Sequence, residues 1–247
     1  MLLPDWTPFN IVLYSFFLLL VLGVGPAETF GQSMMYYSKF RKQTGIPGRA
    51  GMAFLYFAPL VTLILVAWSY LPSATFVQWV VFLAVAIHFA KRVLESLFLH
   101  RYSGPIDPFT TVLIAMFYSL TSGMIGWVNN HPLPAPDVWF YVGMVIFVVG
   151  ITFNFYHHKL LAGLRKDSLD YFVPKGGLFE YVVCPHYLFE IFTFLGIALL
   201  SRHLVAWLAL FFIISYLTAR SLRVLKWYHD KFKDFPIDRK AILPFIL

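Results

Sequence analysis

Among 247 residues there is one cysteine, Cys184, which excludes a disulfide framework and any multi-cysteine zinc or iron–sulfur site. Charge is scarce as well: Asp, Glu, Lys and Arg make up 13% of the chain, about half the ~25% of a soluble domain. A water-soluble globule of this size would lack the polar surface to cover itself. Neither GxGxxG nor GxxxxGKS/T occurs, so any nucleotide is held without a Rossmann turn or a P-loop. The eight histidines, at 88, 100, 131, 157, 158, 186, 203 and 229, form no HxxxH or HxxHH box. That argues against the membrane di-iron enzymes, whose irons need several imidazoles within reach, and no metal is expected. No internal repeat is apparent, and no Ser-His-Asp arrangement follows from spacing.

What is present is apolar. Hydrophobic residues reach 60% and the mean hydropathy is +0.72, as in a polytopic membrane protein. The 27 Phe, 14 Tyr and 7 Trp exceed what lipid contact requires and suggest an aromatic-lined interior. A transmembrane helix needs about 20 apolar residues. Seven stretches qualify, roughly 9–30, 52–71, 74–98, 109–128, 138–158, 186–200 and 203–224, the sixth being short. Gly45, Pro47 and Gly48, then Pro72, then Gly104, Pro105 and Pro108 break the chain between the first four. The start, MLLPDWTPFN, has no basic n-region and carries Asp5, so the first span reads as a retained helix. The expectation is one all-α domain over 1–247 with seven transmembrane helices.

The basic residues test that topology. Seven spans place eighteen of the nineteen Lys and Arg on one side, leaving only Arg202 on the other. By the positive-inside rule the C-terminus is cytoplasmic and the N-terminus outside, in a bacterial inner membrane or the endoplasmic reticulum. A net charge of +7, sparse and interrupted, does not make a nucleic-acid surface; it suits anionic lipid or a phosphate-bearing ligand. The one long polar connection, about 159–185, lies on the cytoplasmic side, with a tight turn at Pro174 and Gly176-Gly177.

Polar groups at membrane depth mark a cavity or ligand site. His88, Lys91, Arg92 and Glu95 share one helical face. They read either as snorkelling with an internal Lys91–Glu95 or Arg92–Glu95 pair, or as a cavity-facing stripe that binds an anion. Asn154, His158 and Arg165 fall near one face of a continuing helix, with His157 turned about 100° away and expected at the interface. His186 and Glu190 are again four apart, and Arg220, Arg223 and Trp227 recur at helical spacing beside Tyr228; Arg223 reads equally as a headgroup contact. Together these give a cytoplasm-facing polar pocket beneath an aromatic bundle.

The C-terminal stretch from NFYHHKLLAGLRK (154–166) through YFVPKGGLFEYVVCPHYLFE (171–190) to WYHDKFKDFPIDRKAILPFIL (227–247) closely resembles the steroid 5α-reductase family. The motifs PxGGLFxYV, an acid four residues after His186, and the terminal RKA.LPF pattern occur in order, within a C-terminal part of about 110–247. HFAKRVLESLFLHRYSG (88–104) and NNHPLPAP (129–136) look more like the sister branch, the very-long-chain trans-2-enoyl-CoA reductases. That branch usually carries a further N-terminal ubiquitin-like domain, which is not among these 247 residues.

The resemblance implies NADPH-dependent reduction of a double bond conjugated to a carbonyl. It assigns NADPH contacts to Arg92, Asn154, His158, Arg165, Tyr171, His186, Glu190, Arg220 and Tyr228, with Arg101, Asp234 and Arg239 as additions. His158 stands where the family commonly has Asp, and His186 where it has Asn. The family's carbonyl-binding Glu falls on Tyr56 or Phe57, and its Tyr on Phe89, which cannot donate. Tyr56 is therefore the candidate donor, with His88 or a water behind it. The expected substrate is a hydrophobic small molecule, either a 3-oxo-Δ4-steroid or an enoyl thioester in fatty-acid elongation. An isoprenylcysteine-methyltransferase-like enzyme and a non-catalytic sterol carrier are the rivals from other classes.

Overall fold

The computed structural model describes residues 1–30, 35–165 and 170–247. Lys166, one of the basic residues counted above, lies outside them. Among the described residues the architecture is seven α-helices with no strand: α1 (Pro8–Phe30), α2 (Gly48–Ala67), α3 (Phe76–Leu94), α4 (Pro108–Val128), α5 (Val138–Gly163), α6 (Pro185–Ser201) and α7 (Leu204–Lys231). Helix α3 runs on as a π turn over Glu95–Leu99. Six of the seven are long and apolar enough to cross a membrane, while α6 has 17 residues. At 1.5 Å per residue α6 is about 26 Å long, short of a ~30 Å hydrocarbon core. The chain is an integral, multi-pass membrane protein.

Local chemistry sets the boundaries. Thr75 and Gln78 form a reciprocal capping box at the start of α3. Asp107 accepts from the Thr110 amide at 2.9 Å ahead of Pro108, and Asp137 accepts from the Phe140 amide at 2.9 Å. Helix α5 extends to Gly163 and α7 to Lys231, beyond the apolar limits expected at 158 and 224. The added end of α7, residues 225–231, is mostly polar, while that of α5, residues 159–163, begins at Lys159 after the polar pair His157-His158, where the apolar run stops.

Helices α5 and α6 pack most intimately because glycine lets their backbones meet. A Cβ on Gly150 would lie 2.5 Å from the Thr193 amide nitrogen, and one on Gly196 would lie 2.6 Å from that of Phe147. This approach sets Asn154 of α5 against Glu190 of α6. Gly150→Val is expected to cost about 1–3 kcal/mol through forced separation, read as a lowered melting temperature; an unchanged value would mean the contact is slack.

Helix α1 packs chiefly on α7, while α2 packs on α3 and α4. A gap is left between α1 and the α2–α4 pair. Before α2 runs a strap, residues 35–47, pinned to the α3–α4 connection by paired Ile46 and Ile106 backbone bonds of 3.0 Å each. The C-terminal tail pairs with the segment before α6 through Val183 N to Lys240 O at 2.9 Å and Cys184 N to Ala241 O at 3.1 Å.

Candidate active site

Two chambers meet inside the bundle. One is apolar, about 1590 Å³, and lies between α1, α2, α4 and α7. The other is polar, about 230 Å³, and is walled by the strap, the α3–α4 connection and the polar ends of α5, α6 and α7. Five residues line both: Tyr37, Met52, Tyr56, Tyr118 and Tyr216. The polar chamber is smaller than the ~300–1,000 Å³ of sites that engulf a whole ligand, so a long ligand would also lie across its mouth.

At the junction stands Tyr56. Tyr56 faces inward at 6% exposure, while its neighbour Phe57, at 53%, faces outward. The Tyr56 hydroxyl accepts a 2.6 Å hydrogen bond from Arg92 Nη2, and its ring stacks on Tyr118 with centroids 5.9 Å apart. Arg92 Nη1 donates to Glu95 Oε2 at 2.5 Å and lies 2.9 Å from His158 Nδ1. Lys91 pairs with Glu95 at 2.9 Å and also donates to Asn154 Oδ1. The Asn154 amide then donates to Glu190 Oε2 at 2.9 Å and to the His186 carbonyl at 2.8 Å. Side chains of α2, α3, α5 and α6 thus form one buried polar network.

Of the residues singled out from sequence, Tyr56, Arg92, Arg101, Asn154, His158, Arg165, Tyr171, His186, Glu190 and Tyr228 line the polar chamber. Four do not. His88 sits behind Glu190, its Nε2 3.5 Å from Oε1 and its ring edge-on to Phe89 and Phe194; it lines neither chamber, so Tyr56 stands nearer to both. Arg220 is fully buried, donating to Glu28 at 2.8 Å and to the Met35 and Tyr37 carbonyls at 3.3 and 3.2 Å. It holds the strap instead of facing the chamber. Arg239 donates to the Pro174 carbonyl at 2.7 Å and to Glu180 at 3.4 Å, bracing the 174–180 turn. Asp234 lies in the tail beyond α7, away from both chamber linings.

Three further expectations change. Of the α3 stripe only Arg92 reaches the chamber; Glu95 and His88 are buried behind it, so the stripe is mostly an internal network. His157 is buried at 1% exposure and not interfacial. Its Nδ1 donates to the Phe153 carbonyl at 2.7 Å and its Nε2 accepts from the Leu178 amide at 3.2 Å. The glycine turn, with Gly176 and Gly177 at φ of 86° and 55°, folds over the ring. Arg223 pairs with Glu28 at 2.6 Å.

Glu95, His100 and His158 bring potential metal ligands within 4.8 Å of one another, yet Arg92 already places its cation on the same carboxylate and imidazole. The donor set of the chamber suits a phosphate-bearing nucleotide better. It is basic and lined with hydroxyls, and among the described residues the buried His186 Nδ1 has no partner.

Residues 106–247 match the 3-oxo-5-alpha-steroid 4-dehydrogenase family. The chain belongs to that family. Relatives include the very-long-chain enoyl-CoA reductase of Dictyostelium discoideum, 31% identical over 178 residues, covering 70% of this chain and 59% of that one. The 3-oxo-5-alpha-steroid 4-dehydrogenase 1 of Bos taurus is 31% identical over 169 residues, 65% of each chain. Steroid 5-alpha-reductase DET2 of Solanum lycopersicum is 36% identical over 149 residues, 56% of this chain and 57% of that one. The matched region spans less than two thirds of each of these relatives.

The lining of this steroid-dehydrogenase-family chain also includes Tyr37, Lys39, Arg41, Tyr118, Tyr187 and Tyr216, none of which was singled out from sequence as a site residue. Tyrosines inside apolar spans look like ordinary membrane core. The strap offered a usable signal, basic residues between two breakers, but nothing in sequence showed it folding back over the ends of α5 and α7.

Proposed function

We propose that this protein is an NADPH-dependent membrane reductase of a carbon–carbon double bond conjugated to a carbonyl, with the Δ4 bond of a 3-oxosteroid as its leading substrate. The observation that carries this reading is the position of Tyr56: a phenol at the join of an apolar and a basic chamber, its oxygen already accepting from Arg92. NADPH, when bound, supplies the hydride that the β-carbon receives. Asn154, His158, Arg165, Tyr171, His186, Glu190 and Tyr228 would hold the cofactor, with Arg101 at the mouth.

Because Tyr56 accepts from a guanidinium, its own proton is left to donate to the substrate carbonyl, and the bond from Arg92 strengthens that donation. Negative charge develops on this oxygen as the β-carbon is reduced, so the interaction grows toward the transition state. The α-carbon then takes a proton. The apolar chamber keeps bulk water from the enolate. With the C-terminus cytoplasmic, as the basic residues indicate, the polar mouth opens to the cytoplasmic cofactor supply.

The second reading is a trans-2-enoyl-CoA reductase. It is favoured by the Dictyostelium relative and by the size of the apolar chamber. Its lining on α4 runs from Leu113 to Val128, about 22 Å of helix, more than a compact ligand needs.

The test is ligand-dependent melting of the detergent-purified protein. NADPH at a hundredfold excess over Kd contributes about 2.7 kcal/mol and raises the melting temperature; S-adenosylmethionine leaves it unmoved. Glu190→Ala and Arg165→Ala are expected to lose the NADPH shift and turnover together. Wild-type NADPH affinity in both variants would overturn the cofactor assignment.

A further inference from the structure

Helix α7 carries Phe212, Tyr216 and Arg220 four residues apart, so the three share one helical face. That face crosses from the apolar chamber to the strap. Phe212 stacks on Phe117 with centroids 3.7 Å apart and on Tyr216 with centroids 6.5 Å apart, which makes the buried Tyr216 ring the end of an aromatic wall. One turn further on, Arg220 donates to the Tyr37 carbonyl at 3.2 Å and lies 4.4 Å over the Tyr37 ring. The strap is fixed just ahead of Tyr37 as well: the Tyr36 amide donates to Thr110 Oγ1 at 3.0 Å, and the Tyr36 carbonyl accepts from the Asp107 amide at 3.3 Å. The two phenols therefore meet, oxygen to oxygen, at 2.8 Å.

This contact leaves one proton over. The two hydroxyls share a single hydrogen bond, and among the described residues neither has another partner, so one of their two protons has no acceptor. Packing alone does not require it, since Phe at 216 would fill the same wall. Both residues line both chambers, at the junction where Tyr56 would bind the substrate carbonyl. The α-carbon adjoins that carbonyl, and its proton needs a second acid at the same junction. Of the other two residues there, Met52 has no acidic proton. Tyr118 has one, but among the described residues nothing donates to its oxygen, so a phenolate left there would stand alone. Tyr216 has Tyr37 as that donor, with Arg220, itself paired with Glu28 at 2.8 Å, behind the pair.

From this geometry we infer that Tyr216 is the acid that protonates the α-carbon, and that Tyr37 is a positioning residue that donates to the Tyr216 oxygen. The inference rests on the reductase reading above and adds a second catalytic residue to it. The Tyr216 O–H bond breaks and a C–H bond forms with the electron pair of the enolate, which leaves the saturated carbonyl compound and a phenolate. The Tyr37 hydroxyl donates to that phenolate, which then regains a proton from solvent through the polar chamber. The double bond has gained one hydride and one solvent proton, and both phenols are restored. The same step serves an enone and an enoyl thioester, because each gives an enolate.

The experiment is turnover of the full chain in detergent with NADPH in heavy water, run with progesterone and with a long-chain trans-2-enoyl-CoA, the α-carbon of the product being read by NMR. Wild type should place one deuteron on a single face. Tyr216→Phe should lower kcat about 10²–10⁴-fold, the contribution of one general acid, and spread the deuteron over both faces as water takes over. Its melting temperature, with and without NADPH, should match wild type. Tyr37→Phe should slow turnover less and keep the single face, while the solvent isotope effect on kcat rises because the proton step now limits the rate. A single-face deuteron retained in Tyr216→Phe would overturn the inference, whatever the rate, and leave the reductase reading intact. So would loss of that face in Tyr37→Phe or Tyr118→Phe instead, or an unchanged rate and isotope effect in Tyr37→Phe. No turnover of either substrate by wild type would overturn both.

Discussion

Replacing Tyr56 with Phe is expected to lower kcat/KM for the enone about 10²–10³-fold, the loss typical of removing one oxyanion donor. NADPH affinity should hold within about twofold, because the phenol faces the substrate side. The ring keeps its stack on Tyr118 and its place in the core, so the fold should survive. The hydroxyl alone is deleted, and with it the acceptor that Arg92 uses at 2.6 Å. Single-turnover kinetics at saturating cofactor would separate chemistry from binding. Unchanged kinetics would return Tyr56 to the role of a packed aromatic.

Arg92→Ala should be more damaging, and in two ways. It removes the group that polarises Tyr56, and it breaks a buried ion cluster in which Glu95 would retain Lys91 at 2.9 Å and its contacts with His158 at 3.0 Å and His100 at 4.0 Å. Loss of one partner from a buried pair costs about 3–5 kcal/mol, so a fall in melting temperature should accompany a drop in kcat/KM of about 10³-fold or more. The sharper result comes from the double variant. If Arg92 acts on the reaction through Tyr56, the losses in Tyr56→Phe/Arg92→Ala are strongly non-additive; independent, additive losses would separate the two residues' roles.

Much of the architecture was legible because hydropathy and breakers are local. The seven apolar stretches correspond to the seven helices, with α5 and α7 running past the limits expected from hydropathy. The polar positions were legible by helical spacing: Asn154, His158, His186 and Glu190 lie together in one chamber. Spacing did not show which polar groups face a cavity and which face one another. His88 and Glu95 share Arg92's helical face yet are buried behind it, because α6 brings Glu190 onto His88 and α5 brings His158 onto Glu95. Arg220 has the spacing of a pocket residue, but its partners, Glu28 and the strap carbonyls, lie about 190 residues earlier in the chain. Contacts of that range leave no periodic trace. Likewise His157 became a buried acceptor only because the two positive-φ glycines turn Leu178 back onto it.

The most direct measurement is turnover of the detergent-purified protein with NADPH, comparing progesterone with a long-chain trans-2-enoyl-CoA. The predicted result is stoichiometric NADPH oxidation with progesterone and formation of the 5α-reduced ketone, slowed about 10²–10³-fold in Tyr56→Phe. Oxidation with the enoyl-CoA alone would transfer the same site to the second reading. No NADPH oxidation with either substrate would contradict the central claim.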